Sequence, residues 1–346
     1  MLTKHKDIRL ISVENLSLIL SKNNFPSYRS KQIKNWARKT DILKFEHMSN
    51  LPKDLIYFLN DNFILNKSKI LSKQKSSDNT IKYAIELHDG LVIESVLIPS
   101  NDRITVCVSS QVGCGLDCKF CATSLLKRMR NLEHYEIYDQ IMKLNVEANK
   151  IFNSSITNIV FMGMGEPLLN YKNVVNSISK ITSDTGLGIS NKKITLSTSG
   201  ISKMIIKMAD DNVKFNLAVS LHSAIEITRN SVMPFSKSFP LKDLVESLEY
   251  WYSKTKRKIT FEYLVWKDIN DDFDHIKALV KICKRVPSKV NLIEYNSIDN
   301  RQFESANIEW INNYIKVLKD NKVSVSVRRS RGKDIQAACG QLANKH

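Results

Sequence analysis

The stretch Ile104-Thr-Val-Cys107-Val-Ser-Ser-Gln111-Val-Gly113-Cys114-Gly-Leu-Asp-Cys118-Lys-Phe-Cys121 decides how this chain folds. It opens as a β-branched run, Ile104 to Ser109, and passes abruptly into glycines and thiols. A helical stretch, Tyr135 to Asn149, follows. A strand that ends in a polar, Gly-rich segment and returns through a helix is one βα unit, and the same order recurs down the chain. Candidate strands are Ile156 to Phe161, Lys193 to Ser197, Lys214 to Ser220, Lys258 to Leu264 and Val290 to Tyr295, with Val323 to Val327 last. Helical spacing marks Val174 to Ser183, Leu241 to Lys254, Asp274 to Arg285 and Ile308 to Asp320. Repeated βα units predict an α/β fold on a parallel sheet, open or closed as a barrel. The polar segments after the strands are Gly163-Met-Gly165-Glu166-Pro167, Thr198-Ser-Gly200, Leu221-His222-Ser223 and Asn296. Parallel α/β folds bind their ligands at these strand C-termini.

Toward the N-terminus the pattern changes. Val13 to Leu20, Ser30 to Lys39 and Asp54 to Leu59 space their apolar residues as helices do, with breaks at Asn23 to Pro26 and at Pro52. Residues 1–75 are therefore expected to form a small basic helical domain. Ser72 to Asn79 is polar and without periodicity, a candidate linker. Two hairpin strands, Ile81 to Leu87 and Leu91 to Ile98, are expected around His88-Asp89-Gly90. The expected division is 1–75, a linker and hairpin over 76–100, and the βα core over 101–346.

The composition limits what this chain can be. Of 346 residues, 42% are hydrophobic, which suits a globular core and excludes a disordered or collagen-like chain. No apolar run approaches the roughly 18 residues of a membrane span, and Met1 to Ile8 lacks a signal-peptide core, so a soluble, cytoplasmic protein without a membrane partner is expected. Lys and Arg number 52 against 35 Asp and Glu, a formal net charge of +17; residues 1–90 alone hold 16 basic and 9 acidic side chains. A polyanion is the natural partner, nucleic acid above all. The alternative is a set of solvated Lys-rich faces with no partner.

The chain has six cysteines and ten glycines. A disulfide scaffold does not suit a cytosolic chain of this size. Cys114-x3-Cys118-x2-Cys121 places three thiols in one compact loop. A structural zinc normally takes four protein ligands, and the nearest further ligand is His134. An iron-sulfur cube held by three thiolates leaves one iron open. A zinc loop that recruits a distant His remains the alternative reading.

The Cys-x3-Cys-x2-Cys motif, with an aromatic residue before the last Cys, resembles the cluster motif of the radical S-adenosylmethionine (SAM) superfamily. Gly163 to Pro167 resembles its Gly-Glu-Pro motif. Six separated segments, in order, resemble the RlmN family of dual-specificity RNA methyltransferases: Cys107 to Cys114, Phe161 to Leu168, Ser197 to Gly200, Val219 to Ser223, Val232 to Pro234 and Asp334 to Leu342. The resemblance runs from about Arg29 to Leu342. It implies a partial (βα)6-type radical SAM barrel with an N-terminal helical accessory domain that binds RNA, and a C-terminal methyl-carrier loop. It implies a [4Fe-4S] cluster on Cys114, Cys118 and Cys121, with SAM as cofactor at two molecules per turnover. Gly165, Glu166, Ser197, Ser220, Leu221, His222 and Asn296 would contact the SAM.

The activity implied is methylation of C2 of adenine in 23S rRNA (adenine-2503, at the peptidyl transferase centre) and of adenine-37 in tRNA. An electron donor such as flavodoxin and a monomeric chain are implied too. Adenine C2 lies between two ring nitrogens and is electron-poor, so it cannot attack the SAM methyl group, whereas a carbon radical can add to it. The methyl group must then be held on the protein by a thiol separate from the cluster. By the resemblance Cys339 is that carrier, Cys107 resolves the protein-RNA adduct through a transient disulfide with Cys339, and Glu94 accepts the proton. Taken alone, Glu94 reads as an outward strand carboxylate and Cys283 as a packing residue.

Two features depart from or add to the family pattern. Lys127-Arg-Met-Arg130 stands where the family has a Gly-aromatic segment. Arg328-Arg-Ser-Arg331-Gly-Lys333, just before Cys339, is expected to hold RNA phosphate or else to be a solvated tail. Competing readings are a C8-methylating relative of the Cfr type and a non-catalytic zinc-dependent RNA-binding protein.

Overall fold

The computed structural model describes residues 6–39, 42–298 and 303–344. Three helices open the chain: α1 (Val13–Lys22), α2 (Arg29–Ala37) and α3 (Lys53–Asn62). Ser12 caps α1, its side chain accepting from the Asn15 amide. The expected helical spacing is met because Leu16, Leu20, Ile33, Leu55 and Leu59 share a core with Ile8, Phe45, Met48 and Phe63. A two-residue parallel pairing of Lys6–Asp7 with Phe63–Ile64 closes this unit.

Among the described residues ten strands form the main sheet. Three are antiparallel to their neighbours: β1 (Lys69–Lys75), β2 (Ile81–Glu86) and β3 (Val92–Ser100), with β3 pairing onto β4 (Arg103–Cys107). From β4 onward the pairings of this sheet are parallel, through β5 (Asn158–Phe161), β6 (Ile194–Thr198), β7 (Asn216–Ser220), β8 (Ile259–Leu264), β9 (Ser288–Ile293) and β10 (Ser324–Arg328). The returning helices are α4 (His134–Phe152), α5 (Tyr171–Thr182), α6 (Ser202–Asp210), α7 (Glu226–Val232), α8 (Leu241–Thr255), α9 (Phe273–Arg285) and α10 (Ile308–Asp320). Six βα units and a seventh strand thus make a partial barrel, in spatial order from β10 to β1.

One cavity is lined from both ends of the parallel array, by Arg103 and Thr105 of β4 and by Ser326, Val327 and Arg328 of β10, so the sheet curls around it. Strand alternation explains why this lumen stays open. Ile194 and Leu196 of β6, Val290 and Leu292 of β9 and Phe261 of β8 turn outward to the helices. Their neighbours Thr195, Asn291, Thr260 and Glu262 turn inward. A packed barrel fills its centre with branched apolar side chains; this one lines it with polar groups.

The expected linker at Ser72 to Asn79 is corrected. Lys69–Lys75 is the edge strand of the sheet, paired to β2 with a bulge near Ile70, and Ser76 to Thr80 is its tight turn. A charged, bulged edge strand protects a sheet from further pairing, and for that reason shows little apolar alternation. The expected strands and helices of the βα core recur with ends shifted by a few residues.

The helical unit meets the barrel through a buried ion pair. Arg9 donates to Asp139 of α4 at 2.7 Å and to both carboxylate oxygens of Asp7 at 3.1 and 3.0 Å. Its guanidinium also lies 3.9 Å from the centroid of the Tyr135 ring.

Candidate active site

The thiol loop is held on several sides. Ser124 Oγ donates to the carbonyls of Cys118 (2.6 Å) and Cys121 (2.7 Å), and the Lys119 amide donates to Val232 O (3.0 Å). Cys114, Cys118 and Cys121 pack with Leu116, Phe120, Met233, Leu264 and Trp266, and all three line one cavity. Phe120 meets His222 edge-on, ring centroids 4.7 Å apart.

Burial, and then mutual repulsion with the other thiols, pushes Cys118 well above its ordinary range; burial pushes Cys114 up to about 12. Three apolar-walled thiols suit a cationic centre that would draw them into the thiolate form. Among the described residues no three His, Cys, Asp or Glu side chains are set around a single-ion point. A cube accepts each thiolate at a different iron, so thiols spread along one wall fit it. His134 lines a different cavity, between α4, α5 and the helical unit, and cannot complete a zinc site here.

The same small cavity gathers most of the residues expected to hold SAM: Gly165, Glu166, Ser197, Ser220, His222 and Asn296. Gly165 has φ +92°, and a Cβ there would lie 2.5 Å from the Gln111 side chain, so only glycine fits. Glu166 is buried, accepting from the Ser199 amide at 2.8 Å and the Leu168 amide at 3.0 Å. Burial pushes its carboxyl up, and these amides oppose the shift. His222 Nδ1 accepts from the Leu264 amide (3.2 Å), so its other nitrogen carries the proton; burial, then the charge of Arg229, push the ring down to about 3 and keep it neutral. Asn296 presents a buried Oδ1 without a hydrogen-bond partner among the described residues. Leu221 is not part of the wall. Its side chain is buried in the core, and its carbonyl accepts from Arg229.

A larger cavity of about 590 Å³ occupies the lumen, and both expected redox thiols reach it. Cys107, at the end of β4, is 7% exposed, whereas Cys339 is exposed. Cys339 lines both cavities. Its loop is tied to the thiol loop by the Ala122 amide donating to Gly340 O (2.6 Å) and by Thr123 Oγ1 donating to Leu342 O (2.7 Å). The β1–β2 turn holds the loop from the other side, Ser76 Oγ donating to Asp334 at 2.6 Å. All six cysteines are free thiols. Cys283 is buried on α9, as a packing residue should be.

The expectation for Glu94 needs correction. Glu94 is neither outward nor on a cavity wall. It is fully buried, 3.3 Å from Lys82 Nζ, and its Oε2 accepts from the amides of Ala343 (2.8 Å) and Asn344 (3.0 Å), because the C-terminal tail folds back over β3. The basic stretch 328–333 is divided between two places. Arg328 turns into the lumen beside Cys339, Glu262 and Cys107, whose charges raise its pKa, Cys339 first. Arg329 and Arg331 line the mouth with Arg103, Lys193 and Lys289.

Sequence reading missed Arg229 and Glu262. Arg229, buried on α7, donates to the carbonyls of Ser199 (2.6 Å), Ser220 (3.0 Å) and Leu221 and so joins two strand-end loops. Glu262 lines both cavities; Asn291 donates to its Oε1 (2.9 Å), and its Oε2 is buried without a hydrogen-bond partner among the described residues. Nothing in an isolated Arg on a helix or a Glu within a buried strand signals either role.

Residues 108–280 match the radical SAM superfamily. A probable dual-specificity RNA methyltransferase RlmN from Flavobacterium johnsoniae is 59% identical over 340 residues, covering 98% of this chain and 97% of the relative. One of the same description from Clostridium botulinum is 40% identical over 342 residues, covering 99% and 97%. The crystal structure of a radical SAM methyltransferase from Sphaerobacter thermophilus superimposes with a TM-score of 0.89 at 33% identity, over 97% of this chain and 98% of that one. Full-length identity at this level, on a barrel whose thiol loop and Gly-Glu-Pro turn share one cavity, makes the chain a member of the RlmN family of radical SAM RNA methyltransferases.

Proposed function

We propose that this enzyme methylates C2 of an adenine in 23S rRNA and of an adenine beside the tRNA anticodon, carrying the methyl carbon on Cys339. The observation that carries the reading is the position of Cys339 on the wall shared by the two cavities. One cavity has the thiols and polar groups to take a cluster and SAM. The other is large and polar enough for a flipped-out base, and its mouth is basic enough for the flanking phosphates.

Cys114, Cys118 and Cys121 would hold the cluster, and Glu166 and the free Oδ1 of Asn296, both acceptors, would meet the ammonium of SAM. When bound, these groups supply the methyl carbon and the radical that takes a hydrogen atom from it, two SAM being used per turnover and an electron coming from a flavodoxin-type donor. The remaining steps belong to the chain. Cys339 sulfur holds the carbon as a thioether while it bonds to C2. A carboxylate removes the C2 proton. Cys107 thiolate then attacks Cys339 sulfur, the sulfur–carbon bond breaks toward the base, whose methylene carbon takes up a proton to become the methyl group, and a transient Cys107–Cys339 disulfide forms. The surplus electron of the radical adduct leaves by the route through which the donor's electron came, and two further electrons from that donor restore the thiols. Glu94 serves as proton acceptor only after Ala343 and Asn344 leave its carboxylate. Glu262 is already on the wall, and its free Oε2 favours it as a second candidate. The RNA substrates place the enzyme in the cytoplasm.

The test is a turnover assay on RNA whose adenines carry deuterium at C2 or, separately, at C8. Loss of deuterium from C2, with 2-methyladenosine in the digest, is the expected result. Loss from C8 would assign the Cfr-type reaction instead. One zinc and no sulfide in anaerobically purified protein would reject the radical enzyme altogether.

A further inference from the structure

A third cavity, of about 350 Å³, lies away from the barrel mouth, between α1 and α2 of the helical unit and α4 and α5 of the barrel. Lys34 reaches it from α2, Arg38 from the cap that ends α2 and Lys180 from α5, with Ser12 and Ser179 beside them. Positive charge is in excess there. One carboxylate, Asp139, and Arg9 also line the cavity; Asp139 and the neighbouring Asp7 are already bound to Arg9, at 2.7 and 3.0 Å. Lys34 Nζ donates to the carbonyls of Ile8 (2.9 Å) and Arg9 (3.2 Å), which leaves one donor free. Arg38 donates from one nitrogen to Thr185 Oγ1 (3.0 Å). Among the described residues, none of Lys34, Arg38 and Lys180 forms an ion pair with a carboxylate.

Gathering three cations around a partly enclosed space is unfavourable unless an anion joins them. The strain registers on its members. Burial, then the charge of Lys180, push Lys34 down to about 8; burial, then Arg38 and Arg9, push Lys180 to the same value. Burial, then Lys180 and Lys34, push His134 down to about 4, so it sits there as a neutral donor or acceptor. A planar fork from Arg38, two ammonium groups and hydroxyls on either side match a tetrahedral oxyanion better than a carboxylate, which offers fewer acceptor oxygens. The volume admits a phosphate or a diphosphate.

We propose that this cavity binds a phosphate oxyanion, which bridges α2 to α5 and so fastens the helical unit to the barrel. The inference does not rest on which base carbon the barrel methylates. Its source is either a backbone phosphate of the RNA substrate or a free diphosphate, and one experiment separates these.

Full-length enzyme with its cluster is titrated calorimetrically with inorganic pyrophosphate, and its binding of an anticodon stem-loop RNA is measured against salt. The same is done for Lys180→Gln, for Arg38→Gln and for Lys281→Gln, an equal loss of charge at an exposed position on α9. Pyrophosphate binding about tenfold weaker in the first two variants and unchanged in the third is expected. If the anion belongs to RNA, pyrophosphate also competes with the stem-loop, and the first two variants lower the salt slope by about one phosphate. If it is free, RNA binding is unchanged in these variants while pyrophosphate binding weakens. Pyrophosphate and RNA binding both unchanged in Lys180→Gln and Arg38→Gln, or changed equally in Lys281→Gln, would overturn the proposal.

Discussion

Asn296 Nδ2 donates to the backbone carbonyl of Cys339 at 3.2 Å, so one side chain in the cavity proposed for SAM also holds the loop that carries the reacting thiol. The same nitrogen donates to Glu294 O at 3.3 Å, and Gln341 Nε2 donates to Ser297 O, which ties the two loops a second time. Asn296 Oδ1 stays free and buried, able to accept from a bound ligand.

Asn296→Ala should therefore have two effects at once. Losing one hydrogen bond to the ligand and one to the Cys339 loop costs about 1 kcal/mol each. SAM affinity should fall about fivefold, and Cys339 methylation, followed by weighing the Cys339 peptide, should slow further, while iron content is unchanged. Normal methylation at saturating SAM would show that the bond to Cys339 has no bearing on the carrier.

Cys118→Ala removes the most deeply buried of the three clustered thiols. Two thiolates do not hold the cube with one iron open, so iron and sulfide should be lost and SAM cleavage should stop. The apolar packing with Leu116, Val232 and Met233 loses only a sulfur, so circular dichroism should remain that of the parent. Undiminished SAM cleavage by this variant would count against the cluster assignment.

Arg328 and Arg329 are neighbours in sequence with different tasks. Burial pushes the Cys107 thiol up to about 12, and the Arg328 guanidinium opposes that shift. Removing this charge moves the thiol higher still, so less thiolate is present at any working pH. Arg328→Gln should slow adduct resolution and displace its pH profile to higher pH, with RNA affinity little changed. Arg329→Gln should do the reverse, weakening RNA binding and flattening its salt dependence without moving the profile. A single shared phenotype would mean that the basic stretch works as one patch.

The barrel was legible because its strands alternate and its ligands sit where strands end. Thr195, Ser197 and Ser220 face the cavities while Leu196 and Val219 face the helices, an alternation visible in the residues themselves. The spacing of the three cysteines marks a ligand loop, and the resemblance, not the spacing, favours a cluster over zinc there. Glu262 was not, since every residue of β8 is buried and inward or outward orientation leaves no trace in its composition. Glu94 failed for a related reason: the tail that covers it arrives from about 250 residues away. Residues 72–79 were misread because an edge strand rich in Lys and Gln resembles a linker.

Two carboxylates compete for the C2 proton, and their positions give different expectations. Glu94 is bound to Lys82 and to the tail, so it works only if Ala343 and Asn344 move. Deleting residues 343–346 should then quicken proton loss if Glu94 is the base, and should leave it unchanged if Glu262 is. Glu262→Gln keeps the hydrogen bond from Asn291 in shape and removes the acid–base function. Deuterium retained at C2 in a stalled adduct of Glu262→Gln, with prompt release in Glu94→Gln, would assign the proton to Glu262.

Cys107→Ala isolates the last step. Cys107 lies at the end of β4, on the wall of the same cavity as Cys339, and both are free thiols. Nothing in the thiol loop depends on it, so cluster content, SAM cleavage and methylation of Cys339 should all persist. The carbon bridge between Cys339 sulfur and the base should form at its usual rate and then remain, because no thiolate is left to attack that sulfur. The variant should accumulate a protein-RNA adduct that survives denaturation, and Cys107→Ala combined with Cys339→Ala should accumulate none. Nuclease digestion followed by mass measurement of the Cys339 peptide reads the outcome directly. A Cys339 peptide free of nucleotide in the single variant, with methylated RNA still released, would mean that another group opens the bridge and that Cys107 has only a packing role.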